Sequence, residues 1–167
     1  VRMEKSMSVN AILAVDDNLG IGFNNDLPWD HNKKDMQWFR QCTTGHVMIM
    51  GRNTWESFGS TPLPNRKNIV VTNRKIDGNP DMVLRGNIEK VIQKARDTYP
   101  DLHIFIIGGA NLYRQALPYC DKLYISRIKG VYRCDTFMHG QDFKDFIMCD
   151  YVDAEDDKLI IKIMGRQ

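Results

Sequence analysis

The sequence predicts an α/β domain of three layers. A mostly parallel central sheet of about eight strands is expected, flanked by about four helices and ending in an antiparallel hairpin. Short apolar runs of strand length alternate with segments of helical periodicity. Several runs are apolar at consecutive positions, as in strands buried on both faces of a parallel sheet. The last two strand patterns are joined by the short polar segment 153–157, which favours antiparallel pairing.

Eight strands and four helices are predicted in order. The first strand, 8–15, is apolar and stops at Asp16-Asp17-Asn18. A helix over 33–42 follows the polar start at Asn32, and Asn87 is a suitable N-cap for a helix over 88–98. A short helix over 55–58 follows a turn at 51–54, and a helix over 110–117 follows two glycines. The remaining strands are predicted at 46–50, 68–72, 82–84, 103–107, 122–128, 146–152 and 158–164.

Length and charge favour one domain and indicate no polyanionic partner. A chain of 167 residues is the size of one ordinary domain. We expect that domain over 8–167, with 1–7 as an N-terminal extension. The net charge of +2 comes from 23 basic and 21 acidic residues, so no nucleic-acid partner is indicated. No apolar stripe demands association, and we expect a monomer.

The spacing of cysteines and histidines and the hydropathy pattern exclude further kinds of site and partner. The four cysteines form no C-x-x-C pair, which predicts free thiols in a reducing cytoplasm. The four histidines form no H-x-x-x-H pair, and no metal is expected. No apolar run approaches the ~20 residues that span a bilayer, so no membrane partner is expected.

Three predicted strand ends are followed by groups suited to phosphate, and open α/β sheets bind ligands at such ends. Gly108-Gly109 lets backbone N–H groups approach an anion before the next helix, although a tight turn is the simpler alternative. Arg52 and Arg74 follow two other strands. Guanidinium suits a phosphate monoester such as the 2′-phosphate of NADP, and solvated surface arginines are the alternative.

The segment 20–25, Gly-Ile-Gly-Phe-Asn-Asn, approaches the dinucleotide fingerprint G-x-G-x-x-G. Asn25 stands where the third glycine belongs, and no helix pattern begins there. That interpretation is therefore rejected. We predict instead a long mobile loop over 20–27, of the kind that closes over a bound ligand.

Asp35 is the one acidic side chain in a row that contains Met36, Trp38 and Phe39. Poor hydration there would disfavour the charged form and raise the pKa of the carboxyl group. A raised pKa suits a group that binds or relays a proton near neutral pH. The alternative is a surface acid that stabilises the start of its helix.

Six motifs, in family order from about residue 8 to 166, resemble dihydrofolate reductase. They are Leu-Gly-Ile-Gly-x-Asn-x-Asp-Leu-Pro-Trp29, Asp35-x-x-x-Phe39, Ile49-Met-Gly-Arg-x-Thr-Trp-Glu-Ser57, Pro62-Leu-Pro-x-Arg66-x-Asn68-Ile, Ile107-Gly-Gly109-x-x-x-Tyr113 and Cys134-Asp-Thr136-Phe. Any one motif could arise by chance, but the ordered set is specific.

The resemblance implies reduction of 7,8-dihydrofolate to tetrahydrofolate by NADPH, in support of one-carbon metabolism, and binding of methotrexate. It implies that Asp35 binds N3 and the 2-amino group of the pterin and supports protonation of N5. Trp29 would hold an ordered water nearby, and Arg66 would form bidentate hydrogen bonds with the substrate's α-carboxylate. The residues then expected around the substrate are Ile12, Leu13, Ala14, Leu27, Asp35, Met36, Phe39, Thr54, Leu63, Arg66, Ile107 and Tyr113.

The resemblance also implies a cofactor site at the glycine and arginine turns, with a cis peptide between Gly108 and Gly109. Its expected residues are Ala14, Ile21, Gly22, Gly51, Arg52, Asn53, Thr54, Thr72, Asn73, Arg74, Ile107, Gly108, Gly109, Ala110, Asn111, Leu112 and Tyr113. Asn111 stands where some members carry another arginine, so the 2′-phosphate would rely on Arg52 and Arg74.

Ser126 departs from the family pattern, which usually has a threonine whose hydroxyl bonds the active carboxylate. Serine keeps the hydroxyl and lacks the methyl that restricts the rotamer. The catalytic set implied is therefore Asp35, Trp29 and Ser126. Two alternatives remain: a pyrimidine reductase of riboflavin synthesis, which shares fold and cofactor, and a non-catalytic folate- or NADP-binding structural protein.

Overall fold

The computed structural model describes residues 7–166, apart from the side chains of Met148 and Cys149. The predicted N-terminal extension therefore lies, except for Met7, outside the described residues. The ten strands of the described part are β1 (Val9–Val15), β2 (Gly20–Gly22), β3 (Val47–Gly51), β4 (Lys67–Val71), β5 (Met82–Leu84), β6 (Ile104–Ile106), β7 (Lys122–Ile128), β8 (Thr136–Phe137), β9 (Phe146–Val152) and β10 (Leu159–Arg166).

Eight of these strands form one sheet in the order β5-β4-β3-β6-β1-β7-β10-β9. The strands from β5 to β7 are parallel to their neighbours, and β10 is antiparallel to both β7 and β9. This confirms the predicted fold class. The carboxyl ends of β1, β3, β4 and β6 meet at one edge of the sheet, called here the carboxyl edge.

The helices of the described part are α1 (Lys33–Thr43), α2 (Arg52–Ser57), α3 (Ile88–Thr98) and α4 (Ala110–Ala116). Single 3-10 turns follow at Leu117–Tyr119 and Gly140–Phe143. The Asn87 side chain accepts the backbone N–H of Lys90, which makes it the N-cap of α3 as predicted. The helix has the predicted bounds, 88–98. The short second helix begins at Arg52, three residues before the predicted start at 55, because extended Gly51 already serves as its N-cap.

The two faces of the sheet carry different cores because successive strand side chains point to opposite faces. Leu13 and Ile106 belong to the large cluster that also contains the buried residues of α3 and α4. Ile12 and Phe105 belong to a second cluster with Trp55 of α2 and Phe39 of α1. The helices therefore cover both faces, giving the three predicted layers.

A small second sheet forms where the sequence predicted only a loop. Strand β2 pairs antiparallel with β8, with Gly20 opposite Phe137 and Gly22 opposite Thr136. A Cβ atom on Gly20 would lie 2.3 Å from the sulfur of Cys134, so glycine is required for this close approach. The first half of the predicted mobile loop is thus paired to a segment more than 100 residues away.

Two histidines occupy the opposite edge, where β1, β3 and β6 begin. Nδ1 of His103 accepts the backbone N–H of Ser8 at 3.0 Å, and Nδ1 of His46 accepts the backbone N–H of His103 at 3.2 Å. The two ring centroids are 5.0 Å apart. An imidazole accepts a hydrogen bond at Nδ1 only when that nitrogen carries no proton. Burial and then the neighbouring His103 lower the pKa of His46.

We expect the free energy of unfolding to decrease when the pH falls from 7.5 to 5.5. Because the pKa of His46 is lower in the folded protein, the unfolded chain binds more protons. The His46 contribution is therefore complete above about 6.5, the ordinary histidine value, and is lost as pH falls below it. Urea unfolding at several pH values measures this.

The matched variants are His46→Asn, whose amide oxygen can accept the His103 N–H, and His31→Asn at an exposed position. His46→Asn should reduce the pH dependence, and His31→Asn should leave it as in the wild type. Equal slopes in all three proteins would contradict the role given to His46.

Candidate active site

The first turn of α1 fixes the position of Asp35. Asn32 is the N-cap, and its side-chain oxygen accepts the backbone N–H of Asp35 at 2.9 Å. Asp35 thus lies in the first turn of α1. The alternative of a surface acid that stabilises the start of the helix predicts the same position. Its side chain, however, faces the sheet, where the Ser126 hydroxyl of β7 bonds its carboxylate.

Burial raises the pKa of Asp35, and the hydrogen bond from Ser126 opposes that rise. Ser126 is 2% exposed and pairs in register with Ala14 of β1, on the same sheet face as Ile12. The raised pKa and the contact with the hydroxyl agree with the sequence-based expectation for Asp35, whose role in the reaction stays a prediction. The sequence-based alternative of a well-hydrated surface carboxylate does not fit this position.

Two further acidic protons lie close to the carboxylate. Burial and then the charge of Asp35 raise the pKa of the Cys42 thiol to about 12. The same two causes raise the pKa of Tyr113, whose hydroxyl donates to the carbonyl oxygen of Ile12 at 2.7 Å. Both groups therefore stay protonated at neutral pH, and Asp35 is the group of the three that can change its charge.

Apolar side chains from both sheet and helix surround this part of the site. Ile12 and Ile107 are buried in one cluster, against which the half-buried Phe39 and Leu63 pack. Leu27 and Met36 are 43% and 47% exposed, and they remain accessible to a ligand. Trp29 is buried with its ring 5.8 Å from that of Tyr132.

Leu13 and Leu112 differ from predicted apolar contacts such as Ile12 and Ile107. Their side chains lie in the large cluster on the opposite face of the sheet. Only their backbone atoms are therefore available to a ligand on the side of Asp35. The sequence-based prediction treated residues 12–14 as one unit. Successive strand side chains point to opposite faces, so Leu13 faces away from Ile12 and Ala14.

Buried polar side chains hold the loop that carries Leu63 and Arg66. Asn68 is fully buried, accepts the N–H of Leu63 and donates to the carbonyl oxygens of Leu63 and Arg66. The Arg66 guanidinium donates from Nε to the carbonyl oxygen of Pro64 at 3.0 Å and from Nη1 to the hydroxyl of Thr43 at 3.1 Å. One N–H of Nη1 and both of Nη2 remain for a ligand.

Glycines bring the ends of β3 and β6 together at the carboxyl edge. The N–H of Gly51 donates to the carbonyl oxygen of Gly108 at 2.8 Å, and the peptide between Gly108 and Gly109 is cis, as expected. A Cβ on Gly108 would lie 3.2 Å from the ring of Tyr113, whereas a Cβ on Gly109 would meet nothing within 4 Å. The backbone at Gly109, where α4 begins, is therefore open to a ligand.

The predicted phosphate-binding residues lie at the ends of β3, β4 and β6. Nη1 of Arg52 donates to both carboxylate oxygens of Glu56, at 2.8 and 2.9 Å. Arg74 is exposed, and its N–H donates to the hydroxyl of Thr72. The other predicted cofactor residues here are exposed Asn53, Asn73 and Asn111 and half-buried Thr54 and Ala110.

The loop over 20–27 is attached at both ends of β2. Asp16 is buried, which would raise its pKa, but the N–H groups of Tyr132, Gly20 and Asn18 outweigh this and lower it. The N–H of Asn24 donates to the carboxylate of Asp135 at 2.9 Å. Ile21 and Gly22 lie between these two anchors and are half-buried.

The tip of this loop faces α2 across a polar groove. Its volume is about 290 Å³, and its lining residues are Asn24, Asn25, Asp26, Asn53, Glu56 and Ser57. Asn24 and Asn25 have φ values of 50° and 60°, in the left-handed region that asparagine tolerates better than most residues. The loop therefore has room to approach the predicted cofactor residues.

Sequence reasoning missed three contributors: Cys42, Thr43 and Asp16. Cys42 lies seven residues after Asp35, which places both on one helix face, so spacing alone could have found it. The contact of Thr43 with Arg66 depends on a loop 23 residues away, and no local pattern indicates it. Asp16 was noted only as the end of a strand.

Comparisons with known proteins agree on one family. A family model for dihydrofolate reductase matches residues 8–164. The dihydrofolate reductase of Bacillus subtilis (strain 168) is 42% identical over 142 residues, which cover 82% of this chain and 77% of the relative. That of Staphylococcus aureus (strain N315) is 35% identical over 153 residues, covering 91% of each chain.

A solved structure is similar over nearly the whole chain. It is dihydrofolate reductase from Enterococcus faecalis complexed with NADP(H) and RAB-propyl, with a TM-score of 0.83 at 27% identity, covering 98% of this chain and 99% of that one. Within residues 7–166, no helix is long and apolar enough to cross a membrane, and no group of three or more His, Cys, Asp or Glu could hold a metal ion.

Replacing Ser126 by alanine should raise the pKa of Asp35 further. The hydroxyl favours the charged carboxylate, and its removal leaves burial unopposed. Isotope-edited NMR of the aspartate carboxyl carbons, recorded over a pH titration, measures the change. Ser57→Ala, at an exposed hydroxyl, is the control that should leave the pKa of Asp35 in place. An unchanged pKa in Ser126→Ala would contradict the hydrogen bond.

Proposed function

The chain belongs to the dihydrofolate reductase family, and we propose that it reduces 7,8-dihydrofolate to 5,6,7,8-tetrahydrofolate with NADPH. The observation that carries the proposal is the half-buried carboxylate of Asp35. It lies beside a hydroxyl and two protonated groups, with apolar walls around it. The activity would supply tetrahydrofolate to one-carbon metabolism and hence to thymidylate and purine synthesis.

The carboxyl edge of the sheet fits a dinucleotide phosphate. Gly109 leaves its backbone open, and Arg52 and Arg74 place guanidinium groups at neighbouring strand ends. NADPH, when bound, supplies the hydride for C6 of the pterin. The contribution of this chain is to align the reactants, exclude water and manage one proton.

Asp35 is the ionisable group that supports the proton transfer to the substrate. A flat pterin between Ile12, Phe39 and Ile107 would present its amidine edge, N3 and the 2-amino group, to the carboxylate. A charged carboxylate accepts those two N–H groups in parallel. Its raised pKa brings it nearer to neutrality, where it supports protonation of N5.

Arg66 would bind the α-carboxylate of the substrate's glutamate. Two of its N–H groups are occupied by Pro64 and Thr43, and this fixes the guanidinium plane while three N–H groups stay available. Such a preorganised fork is strong and selects carboxylates. Leu63, held by Asn68 on the same loop, would form the wall beside the benzoyl group.

We also propose that residues 20–27 act as a lid, with Ile21 and Gly22 against the cofactor and Leu27 against the substrate. Asp16 holds the base of the lid and Asp135 holds Asn24, while the groove against α2 gives the tip room to close. Trp29, buried at the end of this loop, would hold an ordered water near Asp35.

We also propose the domain boundaries and a cytoplasmic location. A single catalytic domain over 8–167 with an extension over 1–7 agrees with β1 starting at Val9. The described cysteine side chains, Cys42, Cys120 and Cys134, are free thiols, which supports a reducing cytoplasm. One chain supplies all the site residues named, so a monomer suffices.

A pyrimidine reductase is the weaker candidate, since hydride transfer to a phosphorylated ribose leaves Asp35 and the apolar walls around it without a role in the reaction. One assay separates the candidates: purified protein with NADPH and dihydrofolate, followed by cofactor absorbance, with methotrexate as the inhibitor. Turnover only with the phosphorylated pyrimidine would favour the alternative enzyme. Binding without absorbance loss would favour a structural protein.

Asp35→Asn should lose most turnover at neutral pH, by about 100-fold or more, the usual range for a lost acid–base group. The amide has nearly the same shape, so NADPH and methotrexate titrations should still report folded, binding protein. The exposed Asp101→Asn, outside the site, is the control for removal of a carboxylate charge. Near wild-type NADPH consumption by Asp35→Asn would overturn its assigned role.

Arg52→Gln should raise KM for NADPH by roughly tenfold, because a charge-assisted hydrogen bond contributes about 1.5 kcal/mol or more. KM for NADH should change little, since NADH lacks the 2′-phosphate. Steady-state kinetics with both cofactors gives the comparison, with exposed Arg85→Gln as the control. Equal changes for NADPH and NADH would show that Arg52 does not read the 2′-phosphate.

A further inference from the structure

A second groove lies on the face of the sheet opposite to Asp35. Its volume is about 270 Å³, and side chains of β7 and β10 form its floor. Ser126 of β7 points toward Asp35, so its neighbours Ile125 and Arg127 point to the other face. The sheet itself therefore separates this groove from the proposed active site.

Strand register arranges four side chains of the floor in a diagonal pattern. Ile160 lies opposite Arg127, and Lys162 lies opposite Ile125. The two isoleucines therefore occupy one diagonal and the two cations the other. Diagonal neighbours in an antiparallel pair are ~7–8 Å apart, and long side chains reach across that distance. Arg127 and Lys162 can therefore contact one small ligand at the same time.

Apolar residues extend this floor toward the base of the lid. Val15 of β1 is buried and lies opposite Arg127, and Leu19 lines the same groove. Leu19 has a φ of 64°, in the left-handed region that bulky residues rarely adopt. Its carbonyl oxygen accepts the N–H of Met138 at 2.9 Å. This hydrogen bond fixes the backbone of Leu19, so the groove keeps an apolar wall at this end.

The two carboxylates that line the groove are already hydrogen-bonded. Asp16 accepts three backbone N–H groups, from its own loop and from a neighbouring one. Asp17 accepts Nε of Arg127 at 2.7 Å and the N–H of Gly130 at 3.0 Å. Neither acid therefore needs a cation or a donor from a ligand.

The two cations, in contrast, retain unused N–H groups. In the described part of the chain the guanidinium of Arg127 donates only from Nε, to Asp17, which leaves both Nη groups. Lys162 forms no ion pair within residues 7–166, and its ammonium lies 5.8 Å from the centre of the Tyr151 ring. Lys162 is also half-buried. The free hydrogen-bonding groups of the floor thus belong to cations, which favours an anionic ligand.

We propose that this groove binds a small organic anion, a monocarboxylate with an aromatic or branched aliphatic body. The carboxylate bridges Arg127 and Lys162, and the apolar body covers Ile125, Ile160 and Leu19. The volume equals that of about nine water molecules at ~30 Å³ each, so the body is a single ring or a short branched chain. This site goes beyond the proposed function, because it lies outside the substrate and cofactor pockets.

The experiment is an NMR titration of wild type, Lys162→Gln and Lys158→Gln with 3-phenylpropionate and with its neutral amide. The backbone amides of Leu19, Ile125 and Ile160 report binding in the groove. NADPH and methotrexate are present in excess, which keeps the probe out of the proposed active site. Lys158 is the matched control, since it is an exposed lysine next to β10 and outside the groove. Thermal unfolding reports any structural effect of the substitutions.

The wild type should bind 3-phenylpropionate with a Kd on the order of 1 mM, the range for a ligand of about ten non-hydrogen atoms. Lys162→Gln should weaken this binding about threefold, the effect of one exposed ion pair. The amide should bind the wild type about tenfold more weakly than the acid, because it loses both cationic partners. It should bind Lys162→Gln as it binds the wild type, and Lys158→Gln should match the wild type with both probes.

Three results would overturn the inference. The first is the absence of saturable shifts at the groove amides, and the second is an equal loss of affinity for acid and amide in Lys162→Gln. The third is binding of inorganic phosphate as tight as that of 3-phenylpropionate, which would leave the apolar floor without a part in recognition. None of these readouts measures turnover, so the proposed function is tested separately.

Discussion

The carboxylate of Asp35, half-buried between α1 and the sheet, is the constraint on which the rest of this structure depends. A carboxylate removed from water is unfavourable unless hydrogen bonds compensate, and its pKa rises when they do so only in part. The Asn32 cap fixes the backbone of Asp35, and the Ser126 hydroxyl bonds its carboxylate and opposes the rise of the pKa. The register of β7 against β1 places Ser126 beside Ala14 for this contact.

Short polar side chains fix the loops around this carboxylate, and each does so from a buried position. Asn68 holds the loop that carries Leu63 and Arg66, and Asp16 holds the base of the lid. A buried side chain that bonds several backbone groups leaves its loop few alternative conformations. The site thus combines rigid walls with one segment, the lid tip, that has open space beside it.

The sequence predicted most of the fold because local signals and tertiary packing agree there. Helix α3 has a cap at Asn87 and a regular apolar face, so its bounds were predictable. The start of α2 was missed because Gly51 caps it through backbone conformation alone. The pairing of β2 with β8 depends on the contact between Gly20 and Cys134, which no local pattern encodes. The apolar neighbours of Asp35 left a surface acid as the alternative, and the ordered family motifs were needed to assign its role. Thr43 acquires its role only through Arg66.

The distribution of charge explains why one pocket can hold both an acid and cations. A guanidinium next to Asp35 would favour the carboxylate and lower its pKa, removing the property that suits it to proton transfer. Instead, burial and Ser126 act on Asp35, while burial and Arg40 act on Arg66. The neutral partners Thr43 and Pro64 hold Arg66 at the far end of the apolar pocket. A substrate long enough to span that pocket can therefore meet a raised-pKa acid at one end and a cation at the other.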